Sequence, residues 1–93
     1  MRVTVRLFAR LRDVAGTDEL VRELPEGATV ATLWTALAGE YPALSPYASS
    51  ISTAVNADYV RMHTALSEGD EVAFLPPVSG GAELKSSVFP ANS

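Results

Sequence analysis

Side chains that ordinarily carry chemistry are scarce in this chain. Its 93 residues include no cysteine and one histidine, which removes disulfides, thiolate metal sites and a cysteine nucleophile. His63 stands beside Met62 in a predicted loop, with no second histidine and no clustered carboxylates near it. It therefore has no partners for a metal site or for acid–base catalysis. Asp18-Glu19 and Asp70-Glu71 look like paired carboxylates, but adjacent residues on a strand point to opposite faces, so neither pair forms a dyad. No glycine-rich phosphate loop is present. What remains is backbone: the stretch Gly69 to Gly81, which ends Leu75-Pro76-Pro77-Val78-Ser79-Gly80-Gly81. Glu71, Ala73 and Leu75 alternate with Val72 and Phe74, as in a strand with two faces. Proline cannot donate a ladder hydrogen bond, so Pro76-Pro77 ends that strand and stiffens the exit. The five residues Pro77 to Gly81 can project about 17 Å when fully extended. Gly80-Gly81 lacks β-carbons and can enter a channel too narrow for other residue pairs. Such a tail suits delivery of a C-terminal carboxyl group into another protein's active site.

The bulk composition agrees with one small globular domain. Apolar residues make up 47% of the chain, enough for a single core at this length. No apolar run is long enough to span a membrane. Met1 to Arg6 alternates instead of forming an apolar signal core, so a cytoplasmic location is expected. A formal charge of −4 argues against general nucleic-acid binding. The single lysine is Lys85; every other basic residue is arginine.

The elements that must position the tail can be read in order. Residues 2–8 alternate as a strand, with Val3, Val5 and Leu7 on one face and Arg2, Thr4, Arg6 and Phe8 on the other. Residues 9–14 can form a helical turn that buries Leu11 and stops at Gly16. Residues 18–24 read as a charged edge strand. Thr29 can cap a helix whose apolar face is Val30, Leu33, Trp34, Leu37, Ala38 and Tyr41, ended by Pro42. Trp34 is expected in the core. Residues 43–50 read as loop or a short turn. Ile51, Thr53 and Val55 mark a third strand, Asn56-Ala57-Asp58 a turn, and Tyr59 to Met62 a fourth short strand. The sum is α+β: one main helix on one face of a single sheet of four to five strands. The uncovered face should be polar, with Phe8, Leu75 and Tyr59 as apolar exceptions; if the first and last strands are neighbours, they would make a docking patch near the tail exit. Arg6, Arg10 and Arg12 rim that region, either as solvated charges or as partners for acidic groups.

The ending Gly69 to Gly81, the segment Leu7-Phe8-Ala9-Arg10-Leu11-Arg12-Asp13-Val14-Ala15-Gly16-Thr17, the tripeptide Ala54-Val55-Asn56 and the run Leu66 to Val72 together resemble the MoaD-like sulfur carriers. This is the family of the molybdopterin synthase small subunit. The resemblance covers residues 1–81. It implies a β-grasp, ubiquitin-like fold with the first and last strands adjacent and parallel. It also implies a function in molybdenum cofactor biosynthesis. Gly81, once free, would be adenylated with ATP by an E1-like adenylating enzyme of the MoeB type and converted to a thiocarboxylate. A MoaE-like large subunit would then use that sulfur for the molybdopterin dithiolene. On this reading Pro77, Val78, Ser79 and Gly80 insert into the partner, Phe8, Tyr59, Leu75, Arg6, Arg10 and Arg12 contact it, and the chain itself binds no metal or cofactor. Sulfur delivery to another product (a thiazole, cysteine or a tungsten cofactor) stays open.

Residues 82–93 depart from the pattern, because an amide at Gly81 cannot be adenylated. The segment is short, polar and aperiodic, which predicts disorder. A processing protease, a fusion or gene-boundary remnant, and an uncleaved ubiquitin-like binding module all remain open.

Overall fold

The computed structural model describes residues 1–77. β1 (Arg2–Leu7) is followed by α1 (Ala9–Ala15), β2 (Glu19–Glu23), α2 (Val30–Glu40) and a 3₁₀ helix (Pro42–Tyr47). β3 (Ser52–Val55), β4 (Asp58–Val60) and β5 (Glu71–Leu75) complete the order. The five strands form one sheet in the order β2-β1-β5-β3-β4. β1 and β5 run parallel at its centre, with Val5 opposite Val72 and Leu7 opposite Phe74. The other three pairings are antiparallel. Helices lie on one face only, the β-grasp arrangement. β2 occupies an edge, as its charge pattern predicts.

Alternation decides which face is covered. Val3, Val5 and Leu7 of β1 and Val72 and Phe74 of β5 point into the core with Val30, Leu33, Trp34 and Leu37 of α2. The Trp34 and Phe74 rings meet at 5.0 Å between centroids, tilted by 57°, a geometry that favours aromatic pairs. α1 buries Leu11 and ends where Gly16 adopts φ 78° and donates its N–H to the Arg12 carbonyl, a left-handed cap that glycine adopts without steric cost. All of the strands, helices and core side chains described fall between residues 1 and 75. A chain ending at Gly81 therefore keeps every described core residue.

Three expectations change. Residues 43–50, read as loop or a short turn, contain most of a six-residue 3₁₀ helix that starts at Pro42 and buries Leu44 completely. Pro42 suits a first helical turn because its missing N–H would have no partner there. β4 covers Asp58–Val60 rather than Tyr59–Met62. After Val60 the chain leaves the sheet, and the carbonyls of Met62 and Thr64 accept the N–H groups of Ala31 and Val30. The first turn of a helix has no internal partners for those donors, so α2 takes the strand's continuation as its cap. β1 stops at Leu7, and Phe8 becomes the extended residue ahead of α1. Thr29 caps α2 as expected. Its partner is Thr32: the Thr32 N–H donates to Thr29 Oγ1 at 3.3 Å and the Thr29 N–H to Thr32 Oγ1 at 3.2 Å.

Candidate functional site

The site is built from the C-terminal end of β5 and the helix-free face around it. β5 is the sheet's middle strand, so its exit is flanked on both sides. Leu75 stands opposite Ser52 of β3, and on the other side the Phe8 N–H donates to the Phe74 carbonyl at 3.3 Å. Pro76 is half-buried and Pro77 exposed. Neither offers an N–H to extend the ladder, so the chain must leave the sheet here. Val78, Ser79, Gly80 and Gly81, expected as the inserting tail and reacting terminus, lie outside the described residues, as does the segment 82–93.

In-register pairing lays Arg6, Ala73, Ala54 and Tyr59 in a row across the helix-free face. Ala73 and Ala54 form a floor of small side chains, and Phe8 packs over them and Leu75. Ala9, at φ 51°, turns the chain sharply out of β1 just after this ring. Leu75 sits on the expected face but is only 4% exposed, which corrects the expectation of an open leucine: the half-buried Phe8 ring and the alanines cover it. The large apolar group open to solvent in this row is Tyr59, 60% exposed. Val21 on β2 adds a second exposed apolar side chain, 49% exposed, on the same face.

The arginines divide. Arg6 belongs to the site: its Nη1 lies 3.0 Å from Glu71 Oε2, and its guanidinium carbon is 5.9 Å from the centre of the Phe8 ring. That spacing allows a cation–π contact. Arg10 points elsewhere, into a cavity of about 420 Å³ lined with Asp13, Val14, Ala43, Pro46 and Tyr47, between α1 and the 3₁₀ helix. Arg12 is exposed and stands 4.0 Å from Asp13. The structure therefore joins Arg6, Phe8 and Leu75 at the tail exit and leaves Arg10 outside the group.

Sequence reasoning missed the groove on the β4 side of the exit. It is a cavity of about 430 Å³ whose lining includes Ser52, Thr53, Tyr59, Arg61, Met62 and His63. The misplaced end of β4 hid it, because residues 61–63 were assigned to a strand and the loop after it. Among the described residues, no group of three or more histidines or carboxylates is close enough to hold a metal, and no helix is long and apolar enough to cross a membrane. A face with one half-buried aromatic anchor, a flanking ion pair and a strand that ends at two prolines is suited to docking and presenting a tail.

Known proteins share this architecture. The molybdopterin synthase sulfur carrier subunit of Chlamydomonas reinhardtii is 41% identical over 83 residues, covering 87% of this chain and all of that protein. The crystal structure of the small archaeal modifier protein of Haloferax volcanii superposes with a TM-score of 0.78 at 34% identity, over 87% of this chain and 100% of that one. A complex of subunits 1 and 2 of the molybdopterin-converting factor from Helicobacter pylori contains a chain with a TM-score of 0.64 and 26% identity, covering 87% and 100%. Residues 5–81 match the ThiS family, a span that runs from the core of β1 through the double glycine, and the chain belongs to that family.

Proposed function

We propose that this chain is the sulfur carrier subunit of a molybdopterin synthase. The observation that carries the reading is the 41% identity to a carrier subunit matched over its entire length. The central β5 strand, which ends at Leu75 and is followed in the sequence by Pro76-Pro77-Val78-Ser79-Gly80-Gly81, supports it. The chemistry belongs to the terminus. A carboxylate is a poor acyl electrophile. Once residues 82–93 are removed and Gly81 ends the chain, adenylation of its carboxylate replaces a poor leaving group with AMP, and a sulfur nucleophile displaces AMP to leave a thiocarboxylate. The activating enzyme is E1-like and supplies the ATP chemistry. A MoaE-like large subunit then transfers the sulfur to the pterin precursor. The chain acts as a protein co-substrate: Gly81 carries the reacting carbon, Pro77 to Gly80 thread the channel, and Arg6, Phe8 and Tyr59 dock around it.

The test takes a chain ending at Gly81, the ATP-dependent adenylating enzyme encoded in the same genome, and a sulfide donor. The expected result is ATP–pyrophosphate exchange followed by an intact mass showing sulfur in place of one oxygen. No exchange with that enzyme would overturn the reading. Transfer of the sulfur to a product other than the pterin would reassign the pathway and keep the carrier role.

A further inference from the structure

The replacement of lysine by arginine throughout the folded body has a chemical consequence. An activated acyl group at Gly81 is open to attack by amines as well as by sulfur. Residues 1–81 contain no lysine and no cysteine. Arginine does not substitute as a nucleophile, because its guanidinium stays protonated at any physiological pH. Serine and threonine hydroxyls are weak acceptors without an adjacent base. The single imidazole, His63, shares a groove with Ser52, yet no hydrogen bond joins the two among the described residues.

In a chain that starts at Met1 one further amine is present, its α-ammonium, and the fold withholds it in two ways. It donates to the Leu24 carbonyl at 2.6 Å, partly buried. It also lies at the wrong end of the sheet. β1 and β5 run parallel, so the tail leaves beside Phe8 while the amine sits at the start of β1. Seven residues at about 3.3 Å each separate those two levels by about 23 Å. The six residues from Pro76 to Gly81 span at most about 21 Å fully extended, and the two prolines oppose an immediate reversal. A straight hairpin back along the sheet falls short.

We infer that the body of this chain is inert toward its own activated tail: it is an acyl donor that cannot act as acceptor, so neither cyclisation nor branched chains form from it. This rests on the reading that Gly81 is activated. The step that is suppressed is attack of a neutral amine nitrogen on the Gly81 carbonyl carbon. That step would form an amide bond, break the bond to the leaving group and pass the amine proton to it.

The test does not need the activating enzyme. The chain ending at Gly81 is prepared as a C-terminal thioester with a small thiol and held at millimolar concentration at mildly alkaline pH, with free lysine added to a parallel sample to show that the thioester reacts. Intact mass is followed over time in the parent chain and in Arg61→Lys. Arg61 is an exposed residue with no ion pair among the described residues, so the lysine should leave the fold intact, and thermal unfolding checks this. In the parent chain the thioester should hydrolyse to monomer only. In Arg61→Lys, covalent dimer should rise at least tenfold above the parent level. Dimer or cyclic product in the parent at the Arg61→Lys rate would overturn the inference, and so would an Arg61→Lys chain that forms none. Failure of ATP–pyrophosphate exchange would instead strike at the carrier reading and leave this result standing.

Discussion

The Phe8 N–H donates to the carbonyl of Phe74 at 3.3 Å, so the parallel ladder between β1 and β5 extends one residue past the end of β1. That bond fixes Phe8 at the level where β5 is about to end. The two aromatic rings then serve opposite faces: Phe74 is completely buried against Trp34 in the core, and Phe8 covers Ala54, Ala73 and Leu75 on the helix-free side. One hydrogen bond thus couples the core to the surface beside the tail.

Phe8→Ala should separate docking from folding. The ring is only half-buried, so its removal should cost about 1–2 kcal/mol, less than the 3–5 kcal/mol typical of a fully buried phenylalanine. The variant should remain folded, with a lower unfolding midpoint in urea. Binding to the large synthase subunit should weaken by at least tenfold, because a central aromatic anchor carries more of an interface than its neighbours. Phe8→Leu should recover most of the stability and part of the binding. Calorimetric titration of the three proteins checks both halves. Unchanged affinity in the alanine variant would remove Phe8 from the interface.

Leu44→Ala tests a core residue that pattern reading could not find. Leu44 is completely buried, and truncation there should cost about 2–5 kcal/mol, enough to unfold much of the population of so small a domain. Circular dichroism in urea measures it. The sequence hid Leu44 because one apolar residue between Pro42, Ser45 and Pro46 has no period to detect. The 3₁₀ turn forms where prolines have already removed the donors, and packing against α2 does the rest. By contrast, α2 and β1 were legible because each repeats its buried positions several times, at helical spacing in one and alternately in the other. The site divides in the same way. Phe8 and Tyr59 could be placed on the outer face by alternation alone. The covering of Leu75 and the departure of Arg10 could not, since both depend on how α1 turns away from β1 at Ala9. The boundary of β4 was hidden for a third reason: its continuation is claimed by the unpaired amides of α2, a long-range demand that local sequence does not show.

Ala57→Gly should stabilise the protein. Asn56 and Ala57 form the turn between β3 and β4 with φ values of 50° and 74°. Left-handed backbone suits asparagine, but for an alanine it costs roughly 1–2 kcal/mol. Glycine removes that strain and gives back about 0.5–1 kcal/mol through the greater freedom of its unfolded chain. The net gain should be about 0.5–1 kcal/mol, read as a higher urea midpoint with an unchanged slope. A loss of stability would mean that the alanine methyl makes a contact worth more than the strain.

Arg22 and Glu40 predict an acid-sensitive clamp on the sheet edge. Arg22, on the β2 edge strand, donates Nε to Glu40 Oε2 at 2.8 Å and Nη2 to Glu40 Oε1, tying the strand to the last residue of α2. Hydrogen bonding to the arginine holds the Glu40 carboxyl below its ordinary value of 4.5, and bonding to the carboxylate raises Arg22 above the ordinary arginine range. A depressed carboxyl stabilises the fold above its unfolded value, and the contribution is lost as pH falls through the lower folded value. The raised arginine keeps its share at every lower pH, so Glu40 alone sets the acid limit. Both side chains are partly solvated, at 28% and 42% exposed, so screening reduces the coupling to about 0.5–1 kcal/mol. A double-mutant cycle of Arg22→Ala and Glu40→Gln, measured by urea unfolding, should show that coupling at pH 7 and none at pH 2. Arg22→Ala should cost more than Glu40→Gln, because it also removes the hydrogen bond that Nη1 donates to the Val21 carbonyl and a cation beside the negative end of the helix. Coupling that persists at pH 2 would show that the pair is held by packing rather than charge.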